Sequence, residues 1–376
     1  MQVIQNSWQD GSWESDLQHD ENVSLVFIFG ERSILEENAA IDEIRAIYPG
    51  AVLLGGSTSG EILGEEVLDN SIVYSAIRFD KTKLEIATTE CKSGSDSFEA
   101  GQQLAKNLNH DELTHVFVIS NGLHVNGTDL SKGLASALPP KVTTTGGLTG
   151  DGAQFSKTWV IAGDQSSSTL VAAIGLYGAH LRVGFGSAGG WEVFGPERAV
   201  TKSNGGVLFE LDDKSALSLY KKYLGEHVDE LPGSALLFPL MVKRPDSDRG
   251  VVRTILSIDE EEQSMTFAGD VPSGSTVHLM RSNTNRLVDG ASDAATKSID
   301  AMGTTSPEFA ILVSCVGRKL VMKQRVEEEV EAVQEIIGED TKLIGFYSYG
   351  ELAPYEKGSP CELHNQTMTI TTFAEV

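Results

Sequence analysis

The sequence predicts a mixed α/β protein built from repeated strand–helix–strand–turn–strand units in two domains. Three observations predict it. Short apolar runs alternate with amphipathic stretches at helical spacing. A Gly/Ser/Thr-rich turn carrying a glycine followed by an acid closes such a unit three times, at Glu61, Asp151 and Glu351. The chain has 376 residues, 40% of them hydrophobic, which is enough for more than one core at the usual ~100–200 residues per domain.

The first unit opens with VSLVFIFG (23–30), seven of whose eight residues are apolar, aromatic or glycine, which reads as a strand covered on both faces. In the next stretch Ile34, Ile41, Ile44 and Tyr48 share one helical face, and Pro49-Gly50 ends the helix. AVLLGG (51–56) is a second strand, GGSTSGE the turn, and SIVYSAIRF (71–79) the return strand. The second unit repeats the order. THVFVISNG (114–122) is a strand, and 127–138 a helix with Leu130, Leu134 and Leu138 in line. Pro139-Pro140 stops that helix, and KVTTTGGLTGDG (141–152) runs from strand into turn. The third lies far downstream: strand FAILVSCVG (309–317), helix 319–338 with Val326, Val330, Val333 and Ile337 as its stripe, and strand plus turn KLIGFYSYGEL (342–352). Gly338 is placed to cap that helix, and HNQTMTITTF (364–373) is the closing strand. The middle differs: 196–232 reads as polar helix, followed by strands at 234–242 and 250–259. A domain boundary is expected near 205, in KSNGG, which gives domains 22–205 and 206–376.

The net charge of −25 repels phosphate backbones and anionic lipids, so nucleic acid and acidic membranes are not expected partners. The N-terminus has neither the basic start nor the apolar run of a signal peptide. The longest apolar run, 169–179, is about half the ~20 residues of a membrane span. Cys91, Cys315 and Cys361 are far apart and form no CxxC pair, so neither a disulfide framework nor a cysteine zinc site is expected. A cytoplasmic protein is the simplest expectation.

The repeated turn sets the functional question. A nucleophile elbow needs G-x-S-x-G before a helix. GSTSG has Thr58 at the centre, FYSYG lacks the first glycine, and both lead toward strands. A P-loop needs a lysine where Glu61 stands. A small-molecule contact loop fits better. Glycines admit close backbone approach, hydroxyls donate and accept, and an acid accepts from an ammonium. Ser57, Thr58, Ser59, Glu61 and Asp151 are the candidates. The alternative is a plain turn whose acid caps a neighbouring loop. Arg318 offers a fork for a carboxylate, so Arg318 and Glu351 together would grip both ends of an amino acid, or simply pair with each other. Asn126 faces a ligand or caps the helix at 127. Tyr347 and Tyr349, two apart, form a ligand wall or pack. Cys315 has no activating base nearby in sequence and reads as core.

Six stretches taken in order resemble one family: GGSTSGEI, SNGLHVNG, GGLTGDGAQF, LVSCVGR, GFYSYGELAP and LHNQTMTITTF. They are similar to the FIST domain (F-box and intracellular signal transduction), the N-terminal part to 22–205 and the C-terminal part to 206–376. The resemblance implies a cytoplasmic sensory module that binds a small ligand, amino acids being the proposed class. It further implies a signalling partner such as a histidine kinase or a cyclic-di-GMP enzyme, here on a separate chain. A subset similar to FIST resembles nitric-oxide-sensing haem proteins, which makes haem the alternative cofactor. Its axial ligand would be His124, or else His278 or His364. A further alternative is a hydrolase or transferase using Ser57, Thr58 or Cys315.

Overall fold

In the computed structural model, which describes residues 1–231, 233–245, 247 and 249–376, the three turns mark three copies of one unit. Each copy sets two strands in parallel and brings a third back antiparallel. In the first, Leu25–Gly30 lies beside Val52–Ser57, and Ile72–Arg78 returns. In the second these are Leu113–Ser120, Thr143–Leu148 and Leu170–Tyr177. In the third they are Phe309–Cys315, Lys342–Ser348 and Met368–Glu375. A further strand flanks each return strand: Gln2–Gln9, Lys83–Glu90 and Leu181–Ala188.

The hairpins that follow the turns leave their own units. Glu61–Leu63 pairs with Lys342–Ser348 of the third unit, Val160–Ala162 with Val52–Ser57 of the first, and Gly350–Pro354 with Thr143–Leu148 of the second. The exchange is cyclic, so no unit completes its own sheet. It produces a pseudo-threefold body with three mixed sheets. Their inner faces meet in one core, where Phe27 lies 5.3 Å from Phe117 and 6.0 Å from Phe309 between ring centres, and Phe29 stacks on Phe346 at 4.5 Å. Helices cover the outer faces: Ala39–Ile47 on the first sheet, Ser97–Asn107 and Gly127–Ala137 on the second, Thr284–Met302 and Glu327–Ile337 on the third. Strands buried on both sides follow from this layering, and Leu25–Gly30 is buried at every residue.

One glycine recurs for a steric reason. Gly55, Gly146 and Gly345 occupy the same place in the three units, and a Cβ there would overlap the carbonyl of Ile28, Val118 and Leu312 in the neighbouring parallel strand. The first glycine of each turn motif therefore serves strand packing.

The third unit is interrupted. Between Leu181–Ala188 and helix Thr284–Met302 the chain forms an eight-stranded sheet domain with its own core around Leu208, Leu240, Met265 and Val277. The expected polar helix over 196–232 is only partly present. A long hairpin, Glu192–Asn204 with Val207–Leu211, takes the first half, and helix Ala216–Leu224 follows. Asp212 and Asp213, inside the stretch read as polar helix, sit at φ 49° and 59°. This is the left-handed pair a tight hairpin turn demands. Position 205 lies in the turn of the Glu192–Leu211 hairpin, where Gly205 has φ 56°. The expected helix over 319–338 is broken into Val316–Met322 and Glu327–Ile337 around Lys323, at φ 53°. Val330, Val333 and Ile337 are buried as expected, and Gly338 caps the end. Among the described residues no helix is long and apolar enough to cross a membrane.

Candidate functional site

The three turns converge where the units meet. Three equivalent backbone bonds tie them in a ring: Ser59 N–H to Tyr347 O at 2.8 Å, Tyr349 N–H to Leu148 O at 3.1 Å, and Gly150 N–H to Ser57 O at 3.0 Å. Their hydroxyls are spent on this ring and its surroundings. Ser57 Oγ accepts from Trp159 N–H (2.8 Å), Thr58 donates to Glu61, and Ser59 Oγ donates to Gly152 O (3.2 Å) and accepts from its N–H (3.1 Å). Ser57, Thr58 and Ser59 are all buried.

The two glutamates repeat one arrangement. Glu61 accepts from Thr58, three residues earlier, and from Ser71 Oγ at 2.6 Å. Glu351 accepts from Ser348 Oγ, also three residues earlier, at 2.7 Å, and from Thr367 through its N–H (3.1 Å) and Oγ1 (2.9 Å). Burial pushes each carboxyl up to about 7, against the pull of these donors. The second unit departs from the pattern. Burial would raise Asp151, but the N–H groups of Lys157 and Ser156, the Ser156 hydroxyl and the Tyr349 hydroxyl outweigh it and hold it below its ordinary value.

Arg318 and Glu351 do not grip a common point. The Arg318 guanidinium forks onto Glu329 at 3.0 and 2.6 Å, both side chains fully buried, and its remaining N–H groups hold the carbonyls of Gly189 and Leu287. Glu329 also takes the hydroxyls of Ser314 (2.9 Å) and Tyr347 (2.7 Å). Tyr347 and Tyr349 therefore point to different partners, Glu329 and Asp151. Asn126 caps helix Gly127–Ala137 by accepting from the N–H groups of Thr128 (3.0 Å) and Asp129 (3.2 Å), and it donates to Asp270 at 3.3 Å. Cys315 is buried, and desolvation raises its thiol far above the ordinary range.

An open space lies elsewhere, between the inserted sheet domain and the third unit. It is a cleft of about 360 Å³. One wall is the segment Ser187–Trp191, leaving the end of strand Leu181–Ala188. The insert contributes Met241, Gly250–Val252 and Met280; helix Thr284–Met302 contributes Lys297. The third wall is the connection into the closing strand, His364, Asn365 and Thr367, with Tyr355 at the rim. Asn365 is 1% exposed, and neither its Oδ1 nor its Nδ2 has a hydrogen-bond partner among the described residues. Buried amides are ordinarily paired, because an unmade bond costs ~1–3 kcal/mol. The amide is therefore left for a partner that the described residues do not supply, an ordered water or a ligand atom.

The residues singled out by the sequence reach this cleft from behind. Arg318 fixes the carbonyl of Gly189 and Glu351 fixes Thr367, and both Gly189 and Thr367 line the space. Gln366, between Asn365 and Thr367, holds φ 64°, and its carbonyl receives the Trp191 indole N–H at 2.8 Å. Of the three histidines, His124 is exposed, and His278 bonds Glu197 at 3.3 Å. His364 lines the cleft with Nε2 on the Ala353 carbonyl (3.0 Å), and burial lowers it to about 4. Sequence reasoning missed Asn365, Lys297 and Trp191. The signals it had were an Asn-Gln-Thr run ahead of a buried strand and a Gly-Gly-Trp step after another, without the fold that brings them together.

The geometry is a three-unit scaffold with an inserted domain and a small cleft between them. The FIST N domain family matches residues 24–214 and the FIST C domain family residues 216–354, so the chain belongs to the FIST family. FIST domains are associated with sensory signal transduction and small-ligand binding. No curated protein matches the sequence. Among solved structures, cyanuric acid hydrolase from A. caulinodans is similar at a TM-score of 0.37 and 8% identity, over 94% of this chain and 90% of that one, a likeness too low to carry an argument.

Proposed function

We propose that the protein is a cytoplasmic sensory module that binds a small organic ligand in the cleft between the insert and the third unit. It passes its state to a separate signalling partner of the histidine kinase or cyclic-di-GMP enzyme kind. The observation that carries this reading is Asn365, buried on the cleft with both polar atoms unpaired. The volume of about 360 Å³ sits at the lower end of the ~300–1,000 Å³ of ligand pockets, which suits a molecule of amino-acid size. The two walls belong to different bodies, so a ligand that bridges them favours the closed arrangement and shifts the population toward it. In this reading Ser57, Thr58, Ser59, Glu61, Asp151 and Tyr347 form the rigid frame, Asn126 orients its helix against the insert, and Arg318 and Glu351 set the cleft wall.

The test is a melting curve with each of the twenty amino acids, on the wild type and on Asn365→Leu. A ligand at 100 times its Kd stabilises by about 2.7 kcal/mol. A shift in the wild type that is lost in the variant supports the cleft; equal shifts in both place the ligand elsewhere.

Haem-based nitric oxide sensing is the second reading, favoured by one observation. Of the candidate histidines, His364 lines this cleft, and its Nε2 on a backbone carbonyl is the bond that orients iron-ligating imidazoles. Burial keeps it neutral, as a ligand must be. Bound haem would supply an iron that takes a diatomic gas, and Trp191, Met241 and Met280 would offer apolar contact; a cleft of amino-acid size does not enclose a porphyrin, so this reading requires the insert and the third unit to part. Titration with haemin distinguishes it: a Soret band that His364→Ala abolishes supports haem, and no band removes it. An enzyme using Ser57, Thr58 or Cys315 would instead show turnover.

A further inference from the structure

The polar groups of the cleft are unbalanced, and the imbalance names a ligand class. The inference rests on the cleft being the ligand site. Three of its backbone carbonyls already hold a donor: Ser187 O takes Lys297 Nζ (3.0 Å), Gly189 O takes Arg318, and Gly190 O takes Ser282 Oγ (2.7 Å). The Thr367 hydroxyl is turned away, donating to Glu351 at 2.9 Å. Among the described residues lining the cleft none is an aspartate or a glutamate, in a chain with 54 of them. No anionic group there is placed to receive an ammonium; the acceptors that remain, the Asn365 Oδ1 and the Nδ1 of the neutral His364, carry no charge. Donors remain. Lys297 has a carbonyl partner but no carboxylate among the described residues, and the Asn365 amide is unpaired whichever way it is turned. Half-buried Trp191, its indole fixed on the Gln366 carbonyl, and buried Met280 provide apolar surface alongside.

We infer that the cleft selects a small organic carboxylate with an apolar or aromatic body, its carboxylate held by Lys297 and the Asn365 amide, and that it does not read an ammonium group. An amino acid would enter as a carboxylate only. Arg318 and Glu351, the pair that would recognise both ends of an amino acid, are each committed to the protein itself.

The test uses the full chain and three matched sets of probes: phenylalanine, tryptophan and leucine; the arylpropanoates and the alkanoate that lack the amino group; and the amines that lack the carboxylate. Melting shifts and affinities are read for the wild type, Lys297→Gln and Asn365→Leu. Lys297 is on an exposed helix face, so its variant folds. At least one deaminated carboxylate is expected to bind as well as its parent amino acid, and the amines not at all. Lys297→Gln should weaken that carboxylate about tenfold or more, the scale of a hydrogen bond to a charged group. An amino acid that needs its ammonium, yet loses binding in Asn365→Leu, overturns the carboxylate selectivity while leaving the cleft as the site. Binding unaffected by Asn365→Leu, or no binding by any probe, overturns both.

Discussion

Replacing Arg318 by alanine separates a framework role from a ligand-contact role. Arg318 and Glu329 are both fully buried, and the guanidinium fork is Glu329's only ion pair among the described residues. Truncation leaves a carboxylate with two hydroxyl donors, from Ser314 and Tyr347, and no cation. Breaking a buried pair in this way costs about 3–5 kcal/mol. Unfolding entropy is about 2.1 cal/mol/K per residue. Over 376 residues melting as one unit that is about 0.8 kcal/mol/K, so the expected fall in Tm is about 4–6 °C. The half-exposed Arg281, paired with Glu192 at 2.9 Å, is the control; its alanine variant should shift Tm by about 1 °C or less, as surface pairs contribute little. Thermal unfolding by circular dichroism reads both. An Arg318→Ala protein that melts within 1 °C or so of the wild type would refute the reasoning, because the guanidinium would then not be compensating Glu329.

Other outcomes follow from the same geometry. Glu61 and Glu351 have native values raised to about 7 from 4.5, so the stability they lend is full below about pH 4.5 and lost as pH rises through about 7. Glu351→Gln removes that dependence. Relative to the variant, the wild type should lose up to about 3 kcal/mol, or about 4 °C, between pH 5 and pH 8, and parallel curves would contradict this. Gly345→Ala drives a Cβ into the Leu312 carbonyl and should cost about 1–3 kcal/mol, read from the denaturant midpoint. Asn126→Ala removes a helix cap worth about 1 kcal/mol, whereas Asn126→Ser should keep it without setting a second carboxylate against Asp270; a binding loss without a stability loss would reassign Asn126 to the ligand.

The sequence carried the units far better than the site. Buried strands such as 23–30, the leucine stripe at 130, 134 and 138, and the threefold recurrence of the turn are local patterns that burial on both faces produces directly. The cyclic exchange of hairpins is not local. Nothing in Glu61–Leu63 says that its partner is Lys342–Ser348 of another unit. The inserted sheet was blurred because 196–232 reads as polar helix, when Asp212 and Asp213 within it are in fact a turn. The polar residues of the turns stood out as reactive in sequence, yet folding pairs nearly every one of them with protein. Glu351 was legible as an unusual acid, but its connection to the cleft runs through Thr367, 16 residues on. Asn365 was invisible as a site because an asparagine in a loop is ordinary until the fold buries it unpaired.

The structure of the protein crystallised with its tightest-binding probe tests the central claim most directly. The account predicts ligand density in the cleft, against Asn365 and Lys297, with the ring of turns at Ser59, Gly150 and Tyr349 unchanged. Density at those turns, with the cleft empty, would contradict it.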